Sequence, residues 1–66
     1  MNEAKLKMND KFTDVYGDWQ VLSVHPPQGK RRHVLYTILN TQTSKAEMVQ
    51  ELQLFKEDNK LVIHED

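Results

Sequence analysis

Lys30, Arg31, Arg32 and His33 stand in an unbroken row immediately after Gly29. Guanidinium groups take phosphate or carboxylate oxygens two at a time, so a loop that carries two of them beside a lysine suits an anionic partner. If that partner is a nucleic acid, three or four phosphate contacts give a salt slope of about −3 and modest affinity. The same row has a plainer use, because adjacent cations keep a hairpin tip solvated and discourage edge pairing. Lys45 adds a further cation to this set. Trp19, Tyr16 and Tyr36 offer ring faces on which a base or a peptide stacks. As large apolar groups they equally suit a core: Trp19 follows a Gly-Asp pair, a usual position for a core-anchoring indole, and Tyr36 shares a face with Val34 and Ile38 and is expected to be half-buried.

Other chemistry finds few candidates. His25, His33 and His64 are the neutral metal-ligand candidates, and no two have the short spacing of a helix-borne or finger-type site. Ser23, His25 and Asp18 supply the residue types of a nucleophile, base and acid, without a nucleophile elbow and without a second domain to wall off a pocket. The chain has two glycines, Gly17 and Gly29, too far apart to expose the run of backbone N–H groups that cradles a phosphate. The expectation is no metal, no cofactor and no enzyme activity.

With 66 residues the chain has room for one small core, and a core of that size leaves little stability to spare, which makes self-association a natural expectation. It contains no cysteine, so disulfides, thiolate metal sites and cysteine nucleophiles are excluded. The lack of cysteine, the polar start MNEAKLKMND and the lack of any apolar run near the roughly 20 residues of a membrane span point to a cytoplasmic protein. A hydrophobic fraction of 38% beside a charged fraction of 29% suits a folded domain better than a disordered tail. The formal charge is −1, but it is unevenly laid out: residues 26–45 hold four cations and no acid, whereas residues 46–66 set six acids against two lysines. Such a layout steers a partner of complementary charge.

The elements that must position these residues are short strands. Residues 1–9 have thin apolar content and read as a flexible or frayed start, leaving 10–66 as one domain. Lys11–Tyr16 reads as a strand that turns at Gly17-Asp18, and Trp19–Val24 as the next, with Trp19 and Val21 on one face and Val24 rejoining it only through a bulge near Leu22-Ser23. Pro26-Pro27 and Gln28–Arg32 form the clearest loop, and His33–Leu39 is the strongest strand, expected at the centre of the sheet. After a turn at Asn40–Ser44, two readings stand for residues 44–55: a strand followed by a tight helical turn, or a helix of two or three turns begun by a Ser44/Glu47 capping box. Glu57–Lys60 is a turn and Leu61–Ile63 a closing strand. The fold class is mainly β: five short strands in a closed or nearly closed small barrel, with one short helix or helical turn near 44–55.

The run Asp-Lys-Phe…Gly-Asp-Trp-Gln-Val, then Val-Leu-Tyr-Thr-Ile-Leu-Asn-Thr-Gln-Thr, then Met-Val…Glu-Leu-Gln-Leu resembles an SH3-like small barrel over Asp10–Ile63. Neither the Ala-Leu-Tyr-Asp-Tyr type motif of peptide-binding SH3 domains nor the glycine-rich motif of KOW domains occurs here. The resemblance therefore implies a fold, with protein, RNA and DNA binding all within its range, and accessory proteins of bacteria or phage among its usual settings. The expected function is a small non-enzymatic binding domain acting on a protein partner or a second copy of itself. The alternative is nucleic-acid binding through the basic loop 28–33. The candidate binding residues are Lys30, Arg31, Arg32, Lys45, Tyr36 and Trp19.

Overall fold

Phe12 lies opposite Trp19, Val21 opposite Ile38, and Tyr36 opposite Val49, and these register partners bring the core together on one face of a single sheet. The computed structural model describes residues 4–64. It contains β1 (Lys11–Asp14), β2 (Gly17–His25), β3 (Leu35–Asn40), β4 (Ala46–Gln50), the single helical turn α1 (Glu51–Leu54), a 3-10 turn (Glu57–Asn59) and β5 (Val62–His64). The strand order is β4-β3-β2-β1-β5 and every pairing is antiparallel. The mainly β reading therefore holds, with five strands in one sheet.

The sheet does not close into a full barrel, because β4 and β5 are its two edges and do not pair with each other. The chain between them is spent on α1 and the 3-10 turn, and Leu54, only 3% exposed, fills the inner face there with apolar side chain instead of ladder hydrogen bonds. For residues 44–55 the structure decides in favour of a strand followed by a helical turn.

The strand expected at the centre is not there. β2 takes the middle position because its nine residues are long enough to pair with β1 along its first half and with β3 along most of its length. The ladder shifts register between Val21 and Ser23, where Leu22 is the extra residue, and Val24 then packs against the core as the bulge requires.

The first reversal also comes earlier than Gly17-Asp18. The turn is Val15-Tyr16, and Gly17 already pairs with Asp14. Asp14 causes this: its Oδ1 accepts the Tyr16 backbone N–H at 2.8 Å and the Trp19 Nε1–H at 3.0 Å, which ties the turn to the strand that follows. Gly17 leaves that turn at φ +132°, a conformation that favours a residue without Cβ.

The start of the chain also requires correction. Leu6 is 1% exposed and belongs to the core with Phe12, Trp19, Val21, Val34, Tyr36, Ile38 and Leu54. Its N–H donates to the Tyr36 hydroxyl at 3.2 Å, and Lys5 lays its Nζ 4.7 Å from the centre of the Phe55 ring. Asn9 N–H and Val21 N–H each bond across to the other strand at 2.8 Å, to Val21 O and Asp10 O, extending the ladder ahead of β1. The folded unit thus begins before Asp10; residues 1–3, the rest of the expected frayed start, lie outside the described residues.

Candidate functional site

β2 runs from the β1–β2 turn to the loop 26–34, so its two ends carry two different surfaces. At about 3.3 Å per residue its nine residues put roughly 26 Å between the turn and the loop, and the longest dimension of the molecule is 34 Å.

One surface is the basic loop. Gln28, Gly29, Lys30, Arg31, Arg32 and His33 are all exposed. The loop reverses through an Arg31 N–H bond to Gln28 O at 2.9 Å with Gly29 at φ +58°, and Arg31 Nη2 donates to Pro26 O at 2.6 Å. Lys30, Arg31 and Arg32 therefore form one cationic tip. Lys45 does not join them, because it precedes β4 at the opposite end of β3.

Tyr36 is no stacking platform. It is 0% exposed, so it is fully buried and not half-buried. Its hydroxyl donates to Glu51 Oε2 at 2.5 Å. Burial, then the hydrogen bond to the Glu51 carboxylate and that group's negative charge, push the phenol up to about 12, with the Leu6 N–H pulling the other way. Trp19 is 8% exposed, with its indole N–H held by Asp14. Of the named aromatic candidates only Tyr16 presents its ring to solvent, at 73% exposure.

The second surface is a groove of about 610 Å³ between the β1–β2 turn, the inner face of β3 and β4, and the segment from α1 through the 3-10 turn. Tyr16 and the edge of Trp19 form one wall; Ile38, Val49 and Leu54 line its floor; and Asp14, Glu47 and Asp58 set three carboxylates around it against one cation, Lys56. Glu47 reaches it because it pairs with Ile38 and so shares the inner face of the sheet while remaining exposed. The Val15 N–H bond to Asn59 O at 3.0 Å and the Asn59 Nδ2 bond to Gln53 O at 2.6 Å hold the 3-10 turn against the β1–β2 turn and α1. Sequence reasoning saw that residues 46–66 were acidic, but not that Glu47 and Asp58 meet Asp14, which lies in a different segment.

The Ser23, His25 and Asp18 set is not assembled, since Asp18 and His25 lie seven positions apart along β2 and the His25 Nε2 bonds Thr37 Oγ1 at 2.9 Å. A different hydroxyl, imidazole and carboxylate do meet. Thr13 Oγ1–H donates to Asp18 Oδ1 at 2.6 Å and lies 2.5 Å from His64 Nε2. A hydroxyl has one proton, so His64 Nε2–H is the donor in the second bond. The carboxylate is then bonded to the hydroxyl, not to the imidazole it would have to orient in a nucleophilic triad, and the three residues act as a polar tie across β2, β1 and β5.

Among the described residues no group of three or more His, Asp or Glu side chains is placed to hold a metal ion, and no helix is long and apolar enough to cross a membrane. No family model, curated protein or solved structure matches this chain. The groove and the loop must therefore be read from their own chemistry.

Proposed function

We propose that the chain is a small non-enzymatic binding domain of SH3-like barrel type, and that its groove takes a positively charged protein segment. Short antiparallel strands, brief turns and a long bulged second strand shared by both neighbours support the SH3-like reading. The observation that carries the function is the groove: three carboxylates and one exposed tyrosine ring around an apolar floor. A Lys or Arg side chain finds there both a carboxylate for its head and a ring face for its stem or guanidinium. A volume of about 610 Å³ lies within the roughly 300–1,000 Å³ range of pockets that accept side chains and small ligands. Phosphate is disfavoured at the same place by the like charge.

The basic loop supports a second reading, nucleic-acid binding through Lys30, Arg31 and Arg32, because all three are exposed on one tip. One titration separates the two. Isotope-labelled protein is mixed in turn with a capped Arg/Lys peptide, duplex DNA and single-stranded RNA, at low and high salt. The proposal expects amide shifts at Asp14–Trp19, Glu47–Val49 and Gln53–Asn59 with the peptide. Shifts confined to residues 28–36 with nucleic acid, lost at high salt and in the K30A/R31A/R32A variant, would replace it with the second reading.

A further inference from the structure

The acidic groove opens beside the β1–β2 turn and the cationic loop follows the far end of β2; no residue of the loop lines the groove, and the Arg31 guanidinium is bonded to the Pro26 carbonyl. The length of β2, roughly 26 Å, lies between Asp14 at the turn and the loop, beyond the 10 Å or so over which charges attract in moderate salt. A second copy offers each surface a complementary one. We infer that the positively charged segment taken by the groove is the loop Gln28–His33 of a second copy, so that the chains associate head to tail.

Shape and charge agree on this occupant. The loop is a projecting tip, with all six of its residues exposed and nothing within 4 Å of the Cβ position of Gly29, so it is able to enter a groove without moving its own strands. It carries three cations, and the groove lining carries a net charge of two negatives from three carboxylates and Lys56. The exposed Tyr16 ring supplies a face for Arg31 or Arg32. The groove is also bordered by β4, which pairs with β3 alone and leaves its other edge open for main-chain contact with an incoming loop. The contact is heterologous, because one copy gives its loop and the other its groove; each added copy leaves one loop and one groove free, and the assembly grows unless it closes as a ring. A 66-residue domain with a small core gains by covering apolar groove floor in this way.

This inference rests on the reading of the groove as a site for cationic segments, and its test keeps the two apart. Sedimentation of the full chain over a range of concentrations is expected to show a rising average mass at about 0.01 M salt, where charges act over about 30 Å, and a monomer at about 1 M, where they act over about 3 Å. The groove variant E47K/D58K and the loop variant R31E/R32E, all at exposed positions, are each expected to stay monomeric with unchanged Trp19 emission. Their equimolar mixture is expected to associate again, since each now complements the other. A wild-type chain that stays monomeric at low salt, or variants that associate as it does, would overturn the inference. In that event a capped peptide of residues 28–33 decides the rest: amide shifts in the groove keep the binding-site reading alone, and a silent groove removes both.

Discussion

Tyr36 donates its hydroxyl proton to Glu51 Oε2 at 2.5 Å, and the same carboxylate oxygen receives the backbone N–H of Lys5 at 2.9 Å. One carboxylate thus joins the beginning of β3, the first residue of α1 and the segment ahead of β1.

Tyr36→Phe should therefore cost about 1–3 kcal/mol, because it leaves the Leu6 N–H without its buried acceptor and Glu51 Oε2 with the Lys5 N–H in place of two donors. The pH dependence has a definite sign. The folded-state phenol titrates at about 12 against a usual 10.0, so the folded protein holds this proton more tightly than the unfolded chain. The associated stability is fully present below about pH 10 and is lost as pH rises toward about 12. Urea denaturation of both proteins across that interval should show a steeper alkaline decline in the wild type than in the phenylalanine variant; parallel declines would contradict the assignment.

Asp14→Ala should cost about 1–3 kcal/mol, since one carboxylate oxygen serves both the Tyr16 N–H and the Trp19 Nε1–H. The chain has a single tryptophan, so its emission reports on this bond and on the groove wall together. Loss of stability with an unchanged emission maximum would mean that the indole is held by something other than Asp14.

The two glycines should respond unequally to alanine. At Gly17 the φ of +132° is strained for any residue with a side chain, and the added Cβ would lie 2.8 Å from Gln42 Oε1, which has to swing aside. A cost of about 1–3 kcal/mol is expected there. Gly29, at φ +58° with nothing within 4 Å, should lose about 1 kcal/mol. Thermal melts of the two variants should place Gly17→Ala lower; the reverse order would refute the turn geometry.

Leu6→Ala should remove about 2–5 kcal/mol by opening a cavity among Tyr36, Leu54 and their neighbours. A domain of this length has roughly 3–10 kcal/mol in all, so the variant should be partly unfolded at room temperature. A chain begun at Asp10 should behave in the same way by circular dichroism, and a native-like melt of either would show that the first segment is dispensable.

The strands were legible where apolar and β-branched residues alternate, and the bulge at Leu22 was legible because Val24 otherwise falls on the wrong face. Leu6 was not, because a lone leucine among charges has no periodicity, and its burial is decided by partners at Tyr36 and Glu51, which lie far along the chain. The first turn was placed too late because Gly17-Asp18 is the stronger local signal, while the group that sets the turn at Val15-Tyr16 is the Asp14 carboxylate acting on Trp19. Tyr36 was placed half in solvent because a strand face can be recognised locally, but the cover laid over it by Leu6 and α1 cannot. The exposed basic loop was visible as a loop from its prolines and glycine. The groove was not visible, because Asp14, Glu47 and Asp58 become neighbours only through the strand order and the 3-10 turn.

The cationic loop and the carboxylates beside the β1–β2 turn set opposite charges apart along β2, a layout that the net charge of −1 conceals. Ion-exchange resins sense the face presented to them and not the sum. The protein should bind a cation exchanger through the loop end and an anion exchanger through the groove end at the same pH, and it should turn in an oscillating field with a dielectric signature that the R31E/R32E substitution flattens.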